Sequence, residues 1–180
     1  MNMISPSTKD ELRRNKASRE EFRNLPRNPV YLLLDSLKCS HNVGTIFRLA
    51  DAVLAKKIYI CGDSVKPSGI KVRKGSHGSE RWVDWEKRDD AVSVINELKS
   101  SGISIVSAEI TSGSVDYREV NMPLPVCIVL GREDCGVSTE VLSMSDSIVH
   151  LPIYGMANSL NVSTVAAVLI YEVMRQAGRN

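Results

Sequence analysis

Three short polar stretches hold the residues best suited to chemistry, and each follows an apolar run. They are Asn42-x-Gly44-x-x-x-Arg48-x-Ala50, Leu130-Gly131-x-Glu133-x-x-Gly136 and Leu151-Pro152-x-x-Gly155-x-x-x-Ser159-Leu160-Asn161-Val162-Ser163. Amide, carboxylate and guanidinium groups form hydrogen bonds and offset charge, and glycine lets a ligand approach the backbone closely. A polar loop between apolar elements must satisfy its backbone groups through internal bonds or through a ligand. The stretches indicate a binding or catalytic site, although each alone also suits an ordinary strand–loop–helix connection.

The common signatures of other enzyme classes are absent. The chain has no GxGxxG after its first apolar run, no GxxxxGK[ST] and no GxSxG, so a dinucleotide site, a P-loop and a hydrolase nucleophile elbow are not supported. His41 is a candidate base, but a single loop histidine is more often structural. No CxxC pair or nearby histidine completes a metal-ligand spacing. We therefore predict no metal and no disulfide, with four reduced thiols: Cys39, Cys61, Cys127 and Cys135.

Length and charge bound the class of protein. A chain of 180 residues suits one domain, and no apolar run approaches the ~20 residues that cross a bilayer. The charged N-terminus lacks the apolar core of a signal peptide, so we expect a cytoplasmic protein with no membrane partner. Residues 1–100 hold 19 Lys/Arg and 13 Asp/Glu, whereas residues 101–180 hold 4 and 8. This asymmetry favours a polyanionic partner for the first half.

Alternating apolar runs and amphipathic segments predict an α/β fold with a mostly parallel sheet and flanking helices. The predicted strands are 30–34, 57–61, 103–106, 125–130 and 147–151. Helices are predicted from about 46 to 54, over 89–101, from Thr139, and from a cap at Ser159 to about Gln176. The loops 35–44, 131–138 and 152–158 all follow strands, and ligands of such sheets bind at the carboxyl ends of strands. We assign residues 1–28 to a charged N-terminal arm or helix and residues 29–180 to a single domain.

Two basic segments are candidates for RNA contact. The arm, with a helix predicted to begin near Thr8, carries Arg13 and Arg14, which either touch RNA phosphates or simply line a solvated face. The segment 66–88 interleaves basic residues, among them Lys71, Arg73 and Lys74, with Gly and Ser. Its two tryptophans either stack on unpaired bases or pack onto the core.

In this order, the three polar stretches closely resemble the three motifs of SpoU/TrmH-type RNA 2′-O-ribose methyltransferases, a branch of the SPOUT superfamily. The resemblance covers roughly Val30 to Gln176. It implies a SPOUT α/β knot, with a deep trefoil knot near the C-terminus, which periodicity does not indicate. It also implies a homodimer whose sites are completed at the interface, and S-adenosylmethionine as cofactor. The implied cofactor-binding residues are Leu130, Gly131, Leu151, Ile153, Met156, Ser159 and Leu160.

The resemblance implies methyl transfer to a ribose 2′-hydroxyl of tRNA or rRNA. The family assigns deprotonation of that hydroxyl to the motif-one arginine, here Arg48. Because a guanidinium stays protonated above pH 12, we expect Arg48 instead to bind the adjoining phosphate and the 2′-oxygen and to stabilise negative charge. Four further residues are expected to orient it by hydrogen bonds: Asn42, Glu133, Ser159 and Asn161.

Three alternatives stay open at the level of sequence. A protein of the same fold could bind RNA without turnover, or could methylate a base instead of a ribose. An unrelated flavodoxin-like domain would have no affinity for S-adenosylmethionine. The motifs do not choose between tRNA and rRNA.

Overall fold

A computed structural model describes residues 7–14 and 16–178, and its centre is a seven-stranded sheet in which every strand pairing is parallel. The strands are β1 Asn28–Asp35, β2 Ala55–Cys61, β3 Trp85–Arg88, β4 Ser104–Ala108, β5 Val115–Asp116, β6 Val126–Leu130 and β7 Ser147–His150. Their order across the sheet is β3-β2-β1-β6-β4-β7-β5. The predicted α/β class with a parallel sheet is confirmed.

Helices cover both faces of the sheet. They are α1 Lys9–Arg13, α2 Arg19–Asn24, α3 Ser40–Ala52, α4 Ile70–Ser76, α5 Ala91–Ser100, α6 Thr139–Met144 and α7 Val162–Gln176, with single 3-10 turns at Ser79–Arg81 and Tyr117–Glu119. Side chains alternate across a strand, so Leu32 and Leu34 of β1 join the core beneath α3 and α7. Leu33 joins the second core, beneath α5 and α6. The continuous apolar run of β1 is thus explained by burial on both faces.

Helix α3 begins earlier than predicted, so His41, Asn42 and Gly44 lie in its first turns and not in a loop. The sequence gives no side-chain cap at Cys39, the residue before the helix. The carboxylate of Glu133 accepts hydrogen bonds from the backbone N–H groups of Lys38 and Cys39, at 3.0 and 3.1 Å. Because the residue that accepts these hydrogen bonds lies more than ninety positions along the chain, no local sequence pattern marks the start of α3.

The basic segment 66–88 contains structure that the sequence did not predict, namely α4 and β3. Trp82 is half-buried and donates its indole N–H to Asp51 at 2.9 Å, while Trp85 is 40% exposed and meets Phe47 edge to face. Packing therefore occupies much of both rings. The short strand β5 is also absent from the predicted strands.

The described part of the N-terminal arm, residues 7–14 and 16–28, contains two short helices. Thr8 begins α1 as predicted, through a capping box with Glu11, and Ser18 begins α2 through a second capping box with Glu21. The new cap at Ser18 explains why the charged segment is not one helix. Within residues 7–14 and 16–178 we find no helix with the length and apolarity to span a membrane. The threading that would knot the C-terminal segment stays a prediction from resemblance.

Candidate active site

One side chain from each polar stretch takes part in a continuous line of hydrogen bonds at the carboxyl edge of the sheet. Asn42, on α3, donates its amide N–H to Glu133 at 2.9 Å. Asn161, at the start of α7, donates to the amide oxygen of Asn42 at 3.0 Å. The oxygen of Asn161 accepts from the backbone N–H of Ser163 at 2.9 Å and from its hydroxyl at 2.7 Å. The line thus joins α3, the loop after β6 and α7.

Both ends of this line fix the orientation of the two amides. The carboxylate of Glu133 only accepts, so the nitrogen of Asn42 must face it. The backbone N–H of Ser163 only donates, so the oxygen of Asn161 must face it. Partial burial raises the pKa of Glu133, but hydrogen bonds from Asn42 and from the backbone of Lys38 and Cys39 outweigh burial and lower that pKa. Glu133 is therefore a carboxylate at neutral pH.

The cap of α7 is Asn161 and not Ser159, which corrects the sequence prediction. The carbonyl of an asparagine side chain reaches the N–H two residues on, and here the same side chain is held by Asn42. Ser159 is exposed two residues before the cap, and it forms no hydrogen bond with another described residue.

The loop after β6 is folded into a tight hairpin, in which Arg132 and Gly136 exchange backbone hydrogen bonds of 2.8 and 3.0 Å. A side chain at Gly131 would overlap the backbone of Gly136 and Val137, and Gly136 has φ +74°. Both glycines are therefore required by the loop itself. Glu109, at the end of β4, closes the loop by accepting from the N–H of Val137 at 2.8 Å.

A cavity of about 510 Å³ lies between this hairpin and the start of α7. Three of the predicted cofactor-binding residues line it: Gly131, Ser159 and Leu160. The other four lie outside its lining: Leu130 is buried at the end of β6, Leu151 and Ile153 are half-buried, and Met156 is fully exposed. Asn161 and Glu133 also line the cavity, so the hydrogen-bonded line borders it.

Arg48 lies apart from this line. It is exposed on α3, six residues after Asn42, which places the two side chains about 120° apart around the helix. With the residues that the structure describes, Arg48 makes no hydrogen bond or ion pair. Its guanidinium is therefore available to a group from outside the single chain, and its orientation by Asn42, Glu133, Ser159 and Asn161 stays a prediction.

The predicted RNA-binding residues lie on the surface. Lys71 and Lys74, on α4, line a cleft of about 490 Å³ beside the start of α3. Arg73 is exposed on the same helix, with its Nε 4.0 Å from the carboxylate of Glu80. Arg13 and Arg14 are exposed on the arm.

Sequence reasoning missed two carboxylates that shape the site. Besides Glu109, Asp35 at the end of β1 is buried and accepts from the N–H and hydroxyl of Ser138, at 3.0 and 2.7 Å. Their partners, Val137 and Ser138, directly follow the hairpin closed by Arg132 and Gly136, far along the chain from either carboxylate. The only available signals were the position of Asp35 directly after one predicted strand and that of Glu109 three residues after another. Among the described residues, no group of three or more His, Cys, Asp or Glu is placed to hold a metal ion.

Comparison with known proteins agrees with this geometry. Residues 29–171 match the model of the SpoU rRNA Methylase family. The chain belongs to this family. A relative from Aquifex aeolicus, a tRNA (guanosine(18)-2′-O)-methyltransferase, is 36% identical over 148 residues, which cover 82% of this chain and 69% of the relative.

Two solved structures superimpose well on this chain. The TrmH/SpoU tRNA modifying enzyme of A. aeolicus gives a TM-score of 0.79 at 32% identity, covering 89% of this chain and 82% of that one. An AdoMet-bound rRNA methyltransferase from Sinorhizobium meliloti gives 0.77 at 27% identity, covering 86% of this chain and 59% of that one. The predicted family and enzyme class, an S-adenosylmethionine-dependent RNA 2′-O-methyltransferase, are confirmed.

Proposed function

We propose that this chain methylates the ribose 2′-hydroxyl of a guanosine in tRNA. The observation that carries the proposal is the line Glu133–Asn42–Asn161, which brings the three motifs together beside one cavity. Guanosine and tRNA are favoured because the Aquifex relative is named for that substrate. An rRNA target is the second candidate, since the Sinorhizobium structure is of an rRNA methyltransferase.

The residues around the cavity suit S-adenosylmethionine. Because residue 131 is a glycine, the backbone of the hairpin is accessible there, whereas a side chain would collide with Gly136. Leu160 supplies an apolar surface on the opposite wall of the cavity. When bound, the cofactor supplies a methyl group already activated by its sulfonium. The protein must then hold the ribose oxygen in line with that methyl group, and such positioning is worth ~7–11 kcal/mol.

Arg48 is proposed to bind the phosphate next to the target ribose and to stabilise negative charge on the 2′-oxygen. Its exposed position and lack of an internal partner suit a residue that meets a substrate or a second subunit. We propose that the enzyme is a homodimer, in which Arg48 reaches the reaction site across the interface. Exposed apolar residues support a dimer: Tyr154, Met156, Leu160 and Tyr171.

The body of the RNA is proposed to contact the basic surface of α4 and the arm. Lys71 and Lys74 flank the cleft beside α3, so phosphates bound there would lie next to the start of the helix that carries Asn42 and Arg48. Arg73 is exposed on α4, and Arg13 and Arg14 add positive charge on the arm. Such contacts give affinity and position without reading sequence.

Transfer of a trideuterated methyl group from labelled S-adenosylmethionine tests the proposal. Unmodified tRNA and rRNA transcripts are incubated with the protein, digested to nucleosides and analysed by mass spectrometry. We expect labelled 2′-O-methylguanosine from tRNA. Label on rRNA alone would favour the second candidate, label on a base would indicate a base methyltransferase, and RNA binding without label would indicate a non-catalytic binder.

A further inference from the structure

The charged side chains that line the cofactor cavity are mostly acidic. They are Glu109, Glu133, Asp134 and Arg132. Arg132 forms a two-pronged ion pair with Asp134, at 2.6 and 2.7 Å. That pair neutralises itself, so the balance of charge facing the cavity is set by the two glutamates.

The two glutamates differ in their surroundings. Glu133 accepts three hydrogen bonds, from Asn42 and from the backbone of Lys38 and Cys39. Glu109 accepts one backbone N–H on each oxygen, from Ile110 at 2.9 Å and from Val137 at 2.8 Å. A carboxylate has about four lone-pair sites, so Glu109 keeps unused acceptor capacity. Among the described residues, no cationic side chain forms an ion pair with it.

We propose that Glu109 is a specificity-determining residue that makes the cavity prefer the methyl donor, which carries a sulfonium charge, over its product, which lacks that charge. This inference rests on the proposed function. During transfer the S–CH₃ bond breaks and an O–CH₃ bond forms, so the sulfonium becomes a thioether with an uncharged sulfur, while the hydroxyl proton passes to solvent water. A carboxylate that attracts the sulfonium loses this attraction as soon as the product forms, which promotes product release.

The position of Glu109 supports this electrostatic effect. Glu109 lines the cavity, and opposite charges closer together than the Debye length of ~8–10 Å at ordinary ionic strength are not fully screened. The carboxylate therefore attracts the sulfonium of a donor bound in the cavity, whereas the uncharged thioether sulfur of the product gains no such attraction.

Calorimetric titration with three ligands tests this inference. They are S-adenosylmethionine, S-adenosylhomocysteine, and sinefungin, an analogue with an ammonium group in place of the sulfonium methyl. Glu109→Gln should weaken binding of the two cationic ligands by about tenfold and that of the neutral product by less than about threefold. Glu140→Gln, on the exposed surface of α6, should change none of the three affinities.

A second variant tests whether the charge of Glu109 or the geometry of the loop that it holds determines the three affinities. Glu109→Asp keeps the charge but shortens the side chain, so it should weaken all three ligands alike and leave their ratios as in the wild type. Equal weakening of all three ligands by Glu109→Gln, or no weakening, would overturn the inference. If none of the ligands binds the wild-type protein, the proposed function itself fails.

Discussion

At the scale of single residues, the side chain of Asn42 is the link between the other two motif residues. It is 2% exposed and uses both ends of its amide, one toward Glu133 and one toward Asn161. Only an amide can donate to a carboxylate with one atom and accept with the other in this space. The requirement is for hydrogen-bonding chemistry and not for volume.

Asn42→Asp should therefore destabilise the protein although the side chains match in size. The substituted carboxylate would face Glu133 at about the 2.9 Å of the present hydrogen bond, and two like charges so close raise the pKa of one of them. We expect a loss of about 2 kcal/mol or more in urea unfolding at pH 7. The loss should be smaller at pH 5 than at pH 7. A carboxyl group whose pKa is higher in the folded than in the unfolded protein lowers stability only at pH values above its unfolded pKa, and the loss decreases as the pH falls toward that value.

Asn121→Asp provides the control, since Asn121 is exposed. Its free energy of unfolding should stay within about 0.5 kcal/mol of the wild type at both pH values. A cost for Asn42→Asp that does not change between pH 7 and pH 5 would rule out the proposed repulsion.

Arg48→Lys should separate binding from turnover. A lysine keeps the charge but loses the planar fork that can hold a phosphate and an oxygen together. S-adenosylhomocysteine affinity should stay within about twofold of the wild type, and the single-turnover methylation rate should fall at least about a hundredfold. Arg118→Lys, on the exposed 3-10 turn Tyr117–Glu119, should keep the wild-type rate. Full activity of Arg48→Lys would remove Arg48 from the site.

At the scale of elements, the crossing of α3 and α4 depends on two glycines. A side-chain carbon at Gly44 would lie 2.5 Å from the carbonyl oxygen of Val72 and 2.9 Å from the Cα of Gly75. The helices therefore touch backbone to backbone. This contact places the lysines of α4 beside the start of α3, where the motif-one residues lie.

Gly44→Ala should destabilise the protein by about 1–3 kcal/mol, because α4 must move to make room. The cost arises even though alanine favours a helix by about 1 kcal/mol over glycine. Gly113→Ala is the matched control, since nothing lies within 4 Å of a side-chain carbon there. Chemical denaturation of both variants measures the difference, and equal stability of the two would contradict the close crossing.

The elements differ in how well their sequence predicts them. Strands β1 and β6 are continuous apolar runs, and their prediction is confirmed. Helix α4 has only Val72 and Ser76 buried, so its pattern lacks an apolar stripe. Strand β3 lies at the edge of the sheet and β5 has two residues, so neither shows an apolar run. The role of Glu109 was also hidden, because its partner is a backbone N–H 28 residues away.

At the scale of the whole molecule, large apolar side chains remain exposed along residues 154–171. Tyr154 is 88%, Met156 100% and Tyr171 55% exposed. Large exposed apolar side chains are typical of interaction sites where they form a patch. We propose that these side chains are covered in the homodimer.

Tyr171→Glu should therefore weaken the dimer, since a charge would be buried without a partner. Light scattering coupled to gel filtration should give a dimer for the wild type and a larger monomer fraction for the variant. Ile70→Glu, at a residue 73% exposed on α4, should remain dimeric. A monomeric wild type would overturn the dimer and the placing of Arg48 across an interface.

The most direct test of the account uses two transcripts that differ by one atom. After the methylated nucleotide is mapped, the same tRNA is prepared with a ribose or a 2′-deoxyribose at that nucleotide only. Incorporation of labelled methyl from S-adenosylmethionine is then measured for both. We predict one methyl group on the ribose transcript and none on the deoxy transcript. Equal incorporation into both would show that the acceptor is not the 2′-oxygen and would contradict ribose methylation.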